Sequence, residues 1–179
     1  MKDMTWKTLS SEYLIKRPWL TARRDVVQLP DGRIHNEYYV LEYPDWVNVI
    51  AMTDQGEMLL VRQYRHGLRQ TNFELVAGCV EQGEDPLDAA RRELLEETGY
   101  SGGRWSKLMT ISANPSTNNN LTHCYLAEGV VHTSEQHLDA TEDVEVHLLP
   151  LSEVKAMVSR GDFMQALMVA PLLKWLSGI

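Results

Sequence analysis

The sequence predicts an α/β fold in which a mixed sheet is flanked by helices. Three observations support this prediction: strand-like runs fill the first half of the chain, one acidic helix interrupts them near residue 90, and helical periodicity returns at the C-terminal end. Strands before and after a single helix, followed by terminal helices, are typical of a sheet with helices packed on it. The 179 residues are enough for one domain with a core and a small appendage.

The first 45 residues are predicted to form a small antiparallel β-sheet appendage. Strand-like runs cover residues 13 to 15, 19 to 29 and 34 to 43, and a Pro-Asp-Gly turn joins the last two. A Pro-Asp pair marks the boundary, which divides the chain into an N-terminal β region, residues 1–45, and a main domain, residues 46–179. Aromatic residues of this region, including Trp19 and Tyr38, either form cross-strand pairs or stack on a planar base.

Strands are also predicted on both sides of a basic stretch in the first half of the main domain. They cover residues 46 to 52, 58 to 63 and 73 to 77. Alternation along a strand places Arg62 and Arg65 on opposite faces, so the two need not act together. Their guanidinium groups either keep the surface soluble or clamp a phosphate or carboxylate. Glu74 interrupts an apolar run, so its carboxylate lies on a solvated face or points toward a ligand.

The C-terminal part is predicted to hold strands, two polar loops and two helices. We expect strands at residues 105 to 111, 123 to 127 and 144 to 149, loops at 101 to 103, 113 to 122 and 132 to 143, and helices at 152 to 160 and up to 176, the last capped by Asp162. A polar loop of ten residues inside a compact domain, such as 113 to 122, is often functional.

Between these halves, residues 78–100 carry seven acidic residues in a pattern typical of one helix. Asp85 is suited to cap the helix, Pro86 to its first turn, and Gly99 to its end. The predicted helix therefore covers residues 86 to 98.

The predicted helix has an apolar arc of Leu87, Ala90 and Leu94 and a neighbouring acidic arc of Glu93, Glu96 and Glu97. Glutamates three and four residues apart repel one another, so something must compensate their charge. One reading is a solvated acidic face. The other is a site for a hard divalent cation such as Mg²⁺, because Gly78 and Gly83 let the preceding loop pass close to a ligand.

Composition excludes several function classes. The formal net charge of −8 argues against a nucleic-acid partner and against attachment to an anionic membrane. The start of the chain has no apolar core of the signal-peptide type and no segment is apolar enough to span a membrane, so we expect a cytoplasmic protein. Two cysteines cannot form a disulfide framework, and the six histidines lack zinc-site spacing.

At this point the residues resemble the signature of the Nudix hydrolases: Gly78, five residues, Glu84, seven residues, Arg92-Glu93-Leu94, one residue, Glu96-Glu97, one residue and Gly99. Tyr100 departs from the aliphatic residue that usually closes this signature. The resemblance implies an α/β/α sandwich that holds Mg²⁺, with Mn²⁺ as a substitute, against a diphosphate.

By this resemblance, the metal ligands are the Ala77 carbonyl and the glutamates at positions 84, 93, 96 and 97. Arg92 more naturally orients this cluster through an ion pair than touches substrate. The catalytic base of related enzymes is often a glutamate on a mobile loop, and Glu142 matches that position best. Asp143 and a signature glutamate such as Glu96 are the alternatives.

The chain further resembles the ADP-ribose pyrophosphatase branch, through its RQYR and ELVAG runs, its strand-rich start and Pro115. That branch implies homodimers that exchange N-terminal strands, with Trp19 or Tyr38 stacking on the base. It also implies phosphate contacts from Arg62 and Arg65, and a contact from Glu74 to substrate or partner. Two departures stand out: Val76 replaces a common proline, and a loop starting at Asn114 replaces the usual SPG triplet. Asparagine amides in this loop can bind sugar hydroxyls or base edges, so the loop is expected to affect substrate choice.

The expected activity is hydrolysis of the diphosphate in a small nucleotide, with ADP-ribose giving AMP and ribose 5-phosphate. Alternative substrates are a nucleotide sugar such as GDP-mannose, NADH, or a dinucleoside polyphosphate. An alternative of another class is a catalytically silent Nudix domain that senses a nucleotide, which the intact glutamates argue against.

Overall fold

A computed structural model describes residues 1–178. They form two compact units. The first contains Met1–Pro44 and Ser112–Asn120, and the second contains Asp45–Ile111 and residues 121 to 178. Within residues 1–178 no helix is long and apolar enough to cross a membrane.

Three antiparallel strands build the sheet of the first unit, in the order β1 (Lys7–Arg17), β2 (Leu20–Gln28) and β3 (Ile34–Glu42). The predicted turn joins β2 to β3, where Gly32 has a φ of 88° and its N–H donates to the Leu29 carbonyl at 2.9 Å. The predicted run, residues 13 to 15, covers only part of strand β1. Every residue of this strand is exposed in this chain. With neither face buried, the strand carries no alternation of apolar residues.

The polar loop predicted at residues 113 to 122, called here the asparagine-rich loop, lies mostly in the first unit because it pairs with the end of β3. The Leu41 N–H donates to the Thr117 carbonyl at 2.8 Å, and the Asn119 N–H donates to the Leu41 carbonyl at 3.2 Å. The Asn119 side chain accepts the N–H of Tyr43 at 3.1 Å. Residues predicted only as a polar loop are therefore a structural part of the small sheet's unit.

Seven strands form the sheet of the second unit: β4 (Trp46–Met52), β5 (Glu57–Arg65), β6 (Gln70–Glu74), β7 (Val76–Cys79), β8 (Tyr100–Ile111), β9 (Thr122–His132) and β10 (Val144–Pro150). The main order is β10-β5-β4-β9-β8, with β6 paired to β5 and β7 paired to β4. The sheet is mixed because β4 runs parallel to β9, while the other pairs are antiparallel.

Helices cover both faces of this sheet: α1 (Pro86–Thr98), α2 (Leu151–Arg160) and α3 (Ala166–Ser177). Alternation along β4 separates two cores. Val47 and Val49 pack with the apolar arc of α1, whereas Ile50 packs with Val154 of α2 and Leu172 of α3. The predicted α/β/α arrangement with a mixed sheet and a separate small antiparallel sheet is confirmed.

Three local predictions differ from the structure. The single strand predicted at 73 to 77 is two strands, since the chain leaves β5 after Glu74 and joins β4 from Val76. The loop predicted at 101 to 103 lies inside β8, where Ser101 and Gly102 pair with β9 and both Gly102 and Gly103 have a positive φ. Asp162 does not cap the last helix. Its carboxylate accepts from Arg160 at 2.8 Å, and α3 begins at residue 166.

Candidate active site

Helix α1 has the predicted bounds, and its ends explain why. The Asp85 carboxylate accepts the Leu87 N–H at 2.8 Å, and Pro86 occupies the first turn, where its missing N–H costs nothing. At the other end, Gly99 has a φ of 73° and its N–H donates to the Leu95 carbonyl at 2.8 Å. Both caps set the bounds of the helix, and the burial of Ala90 and Leu94 sets which side of it faces the sheet.

Gly78 leaves room for the close approach of the Glu93 side chain, which the sequence alone did not suggest. A Cβ atom at Gly78 would lie 2.0 Å from the Glu93 carboxyl carbon, far inside contact distance. Its φ is not among the positive values, so the conformational freedom predicted for Gly78 is not the reason for glycine here. Gly83, with a φ of 84°, does use that freedom.

Arg92 compensates the repulsion between the glutamates. Its Nε and Nη2 donate to the two oxygens of Glu84 at 3.0 and 2.9 Å. Its Nη1 donates to Glu93 at 2.8 Å and to Glu96 at 3.0 Å, while Nη2 also reaches the Cys79 carbonyl at 2.9 Å. These bonds, led by those to Glu84, raise the pKa of Arg92, so the guanidinium stays charged.

Glu97 is the most enclosed carboxylate of the predicted site. Only 4% of the residue is exposed, and one oxygen accepts the Ala77 N–H at 3.3 Å. Burial raises the pKa of Glu97 to about 8, and the charges of Glu93 and Glu142 add to this shift. Burial likewise raises the pKa of Glu93. A buried carboxylate with so little support requires a cationic partner or a proton.

The residues fit a hard divalent cation in their chemistry, because carboxylate and carbonyl oxygens are the ligands such ions prefer. Across residues 1–178, however, no three acidic, histidine or cysteine side chains already converge on a point that would hold an ion. Arg92 draws three of the glutamates onto its own nitrogens, and Glu97 turns to the Ala77 N–H. To bind a divalent cation together, the carboxylates would have to rotate away from Arg92 and from the Ala77 N–H. The carbonyl of Ala77 stays a predicted ligand.

Arg65 and Glu74, both predicted to contact substrate, are bound to each other. The Arg65 Nε and Nη2 donate to the two oxygens of Glu74 at 2.9 and 2.6 Å. The Glu74 side chain is 3% exposed and that of Arg65 is 45% exposed, so the arginine is the member that faces solvent. The bonds to Glu74, and then the charges of Glu97 and Glu142, raise the pKa of Arg65.

Arg62 lies in a different ion pair. Its Nη1 donates to Glu145 at 2.8 Å across the pairing of β5 with β10, and both side chains are exposed. The two arginines thus serve separate pairs, as the strand alternation predicted.

Glu142, the predicted base, lies in the loop between β9 and β10. Its carboxylate accepts the Asp139 N–H at 3.0 Å, and its own N–H donates to the Asp139 carbonyl at 2.9 Å. Its charge contributes to the pKa shifts of Glu93, Glu97 and Arg65. The loop therefore brings Glu142 into the electrostatic neighbourhood of the signature.

The other three predicted substrate residues belong to the first unit. Trp19 lies between β1 and β2 and is 85% exposed. The Tyr38 hydroxyl donates to the Ser116 carbonyl at 2.7 Å, and the Asn114 side chain accepts from the Ser116 hydroxyl at 2.6 Å. Tyr38 is thus bound to the asparagine-rich loop, and Asn114 is bound within that loop. The Trp19 ring is accessible for other contacts.

Sequence reasoning missed Gln136. Its Nε2 donates to the Glu97 carbonyl at 2.6 Å and to the Val144 carbonyl at 3.3 Å. The one signal available was indirect: the last carbonyls of any helix lack partners within the helix. No spacing in the sequence indicates which distant side chain satisfies them.

A cleft of about 430 Å³ lies beside Arg92, and its lining consists of Arg91, Arg92, Leu95, Ser101, Gly102, Gly103 and Trp105. The Arg91 guanidinium carbon lies 5.8 Å from the centre of the Trp105 ring. Among residues 1–178, the glutamates predicted to bind metal do not line this cleft. This cleft is therefore not the place at which the predicted metal ligands meet.

Comparison with known proteins identifies both parts of the chain. Residues 42–167 match the model of the NUDIX domain, and residues 6–41 match the model of the nucleoside diphosphate sugar hydrolase N-terminal domain. The first match alone covers more than half of the chain.

Similar proteins carry consistent descriptions. An ADP-ribose pyrophosphatase of Bacillus subtilis (strain 168) is 32% identical over 167 residues, covering 93% of this chain and 90% of that protein. An ADP-ribose pyrophosphatase of Mycobacterium tuberculosis (strain ATCC 25618 / H37Rv) is 32% identical over 176 residues, covering 97% and 84%. A crystal structure of an ADP compounds hydrolase matches with a TM-score of 0.85 at 23% identity, over 99% and 98% of the chains, which shows the shared fold. The chain therefore belongs to the Nudix hydrolase family and is an enzyme with the N-terminal domain of the nucleoside diphosphate sugar hydrolases.

Proposed function

We propose that this Nudix hydrolase is a Mg²⁺-dependent pyrophosphohydrolase that cleaves ADP-ribose to AMP and ribose 5-phosphate. Hydrolysis of a nucleoside diphosphate linked to another moiety follows from the family and its relatives. The observation that carries the proposal is the packing of Glu93 and Glu97 against Gly78 and Ala77, which presents a set of carboxylates from one rigid helix. The choice of ADP-ribose is supported by the two relatives described above.

Nudix hydrolases generally need a divalent metal ion, and Mg²⁺ is the ion proposed here, with Mn²⁺ as a substitute. Glu93, Glu96 and Glu97 would hold it, with Glu84 and the Ala77 carbonyl as further ligands. A bound ion would supply neutralising charge to the diphosphate oxygens. Arg92 acts by orienting the glutamates, because its guanidinium donates to Glu84, Glu93 and Glu96 at once.

Two other groups of the chain act on the substrate and on water. Glu142 takes the proton of the attacking water, with Asp143 and Glu96 as the alternative bases. Arg65 binds a phosphate through the edge of its guanidinium that Glu74 leaves free, since Glu74 occupies only Nε and Nη2. Glu74 thereby fixes Arg65, and Arg62 is a second phosphate contact.

The N-terminal β region is proposed to mediate a homodimer with exchanged strands. The support is β1, which exposes the large apolar side chains of Leu9, Tyr13, Leu14 and Ile15. Trp19 or Tyr38 is proposed to stack on the adenine base, and Asn114 to bind substrate hydroxyl groups. A cytoplasmic location stays a prediction.

A substrate panel tests the function. ADP-ribose, GDP-mannose, UDP-glucose, NADH and diadenosine polyphosphates are incubated with the enzyme, with Mg²⁺ and with a chelator, and phosphate is measured after coupling to a phosphatase. We expect the highest kcat/KM for ADP-ribose and no turnover with the chelator. A preference for GDP-mannose or UDP-glucose contradicts the choice of ADP-ribose, and the match to the nucleoside diphosphate sugar hydrolase domain makes that the second candidate. Binding without turnover of any substrate contradicts catalysis and indicates a nucleotide sensor.

A further inference from the structure

The loop that carries Glu142, residues 133–143 and called here the base loop, is anchored on the C-terminal end of α1. The last carbonyls of a helix have no partner within it. Here the Glu96 carbonyl accepts the His137 N–H at 2.9 Å, and the Gly99 carbonyl accepts the N–H groups of Thr133 and Ser134 at 2.8 and 3.1 Å. The base loop therefore completes the hydrogen bonding of the helix that bears the signature glutamates.

Gly99 makes this close approach possible. A Cβ atom at Gly99 would lie 2.0 Å from the Ser134 carbonyl oxygen. The residue thus has two functions, because its positive φ ends α1 and its missing side chain leaves room for the base loop. The loop and the helix end are built as one packed unit.

The side chain of Gln136, in the base loop, bonds both to the end of α1 and to the start of β10. Its side-chain amide nitrogen donates to the carbonyl of Glu97, in the last turn of α1, at 2.6 Å. The same nitrogen lies 3.3 Å from the carbonyl of Val144, where β10 begins. One amide group therefore connects the glutamate helix to the strand that follows the base loop.

Few other contacts hold the base loop in place. Leu138 packs against the core on the α1 face of the sheet, but the loop residues from 139 to 143 are all exposed. Among residues 1–178, the hydrogen bonds of Glu142 are both to Asp139, within the same loop. Its position relative to α1 is thus set by the backbone bonds at the start of the loop, by the side chains of Gln136 and Leu138, and by Val144 after it. Of these, Gln136 alone bonds both to α1 and to Val144.

We propose that Gln136 is a positioning residue that holds Glu142 at a fixed place relative to the signature glutamates. This inference rests on the proposed role of Glu142 as the base. Losing the amide bonds lets the base loop drift from the end of α1, and a displacement of about 1 Å at a reacting group costs up to about 100-fold in rate. Substrate and metal binding use other side chains and remain intact.

The test compares Gln136→Met, which keeps the length but cannot donate, with Gln136→Asn, which keeps the amide but shortens its reach. Glu135→Gln is the matched control, since Glu135 is an exposed neighbour in the same loop. We expect kcat to fall on the order of 10-fold in Gln136→Met, with the KM for substrate and the Mg²⁺ requirement within about twofold. The kcat of Gln136→Asn is expected to lie between those of Gln136→Met and the wild type. The control Glu135→Gln should keep the wild-type kcat.

Hydrogen exchange provides a readout that does not depend on turnover. The peptide covering the base loop is expected to exchange faster in Gln136→Met than in the control, while the peptide covering the first turns of α1 is unchanged. Equal protection of the base loop in both proteins overturns the proposal, even where kcat has fallen.

A double variant separates this inference from the proposed function. Glu142→Gln is expected to lower kcat by about 100-fold or more, and adding Gln136→Met to it should then lower kcat no further, because the positioned group is gone. A further 10-fold loss in the double variant overturns the positioning role of Gln136. Near-normal turnover of Glu142→Gln instead overturns the assignment of the base, on which the inference rests.

Discussion

Glu97 is a buried carboxylate with one backbone N–H as its hydrogen-bond donor. Its neighbour on the helix, Glu93, is held by Arg92 and is largely buried as well. At the residue scale, the site is therefore under electrostatic strain that a proton or a cation relieves. The strain is local to α1 and β7, and it makes the stability of the protein depend on pH and on metal.

Without metal, we expect the protein to become less stable as pH rises. Glu97 has a folded-state pKa of about 8, above its ordinary value of 4.5, and the pKa of Glu93 is raised as well. The folded state then binds more protons than the unfolded state between these values, so the free energy of unfolding falls across that window. Each such group contributes a slope of at most about 1.4 kcal/mol per pH unit.

Thermal unfolding in a chelator, from pH 4.5 to 8.5, measures this effect against Glu97→Gln. The variant has no proton to lose at that position, so its Tm should depend less on pH than that of the wild type. Identical pH profiles for the two proteins would contradict the buried, protonated state of Glu97.

Arg92→Ala should destabilise the protein mainly when metal is absent. Arg92 bonds to Glu84, Glu93 and Glu96, and its loss leaves three close carboxylates without a cation. We expect a loss of roughly 1–3 kcal/mol in a chelator, and a smaller loss in saturating Mg²⁺. Arg91→Ala is the matched control because Arg91 is exposed and bonds to Asp88. Equal losses in both solutions would show that Arg92 does not act by balancing the carboxylates.

At the scale of elements, the site depends on how closely α1 approaches β7. The side chain of Glu93 lies on the backbone of Gly78, and Glu97 reaches the N–H of Ala77. Helix and strand are consecutive apart from the six-residue loop that contains Gly83, so their packing is local in sequence. This is why the signature residues lie within one short segment.

Gly78→Ala should impair catalysis without unfolding the protein. The added methyl group would lie 2.0 Å from the Glu93 carboxyl carbon, so the glutamate side chain must move. We expect kcat/KM to fall about 100-fold, with a higher Mg²⁺ requirement and unchanged circular dichroism. Gly67→Ala is the control, since Gly67 has open space around it and no positive φ. A Gly78→Ala enzyme with normal Mg²⁺ dependence would show that Glu93 is not a metal ligand.

At the scale of the whole molecule, β1 exposes apolar side chains that a single chain leaves uncovered. All eleven of its residues are exposed, although several are large and apolar. The proposed homodimer covers them, and light scattering should give twice the chain mass of 20.5 kDa. Leu14→Arg should shift the protein toward the monomer, because a charge at a buried interface is costly.

Leu68→Arg controls for this experiment, since Leu68 is an exposed leucine of the second unit. A wild-type protein that is monomeric at all concentrations, or a Leu14→Arg dimer as stable as the Leu68→Arg one, would exclude β1 as the interface.

The sequence predicted the elements whose signals are local. Asp85, Pro86 and Gly99 set the bounds of α1, an apolar run identified β4, and alternation separated Arg62 from Arg65. The missed features depend on distant partners. Leu75 lies between two strands that pair with different neighbours, and Gln136 finds its acceptors 39 and 8 residues away. Apolar periodicity contains no information on either choice.

The placement of Ser112–Asn120 in the first unit means that the chain passes between the units three times, after Pro44, Ile111 and Asn120. The N-terminal β region is therefore not a detachable module. A fragment ending at residue 44 would leave the edge groups of Leu41 without the bonds that Thr117 and Asn119 supply. A graft of this region onto another Nudix enzyme would have to transfer two separate pieces of sequence, residues 1–44 and 112–120, together.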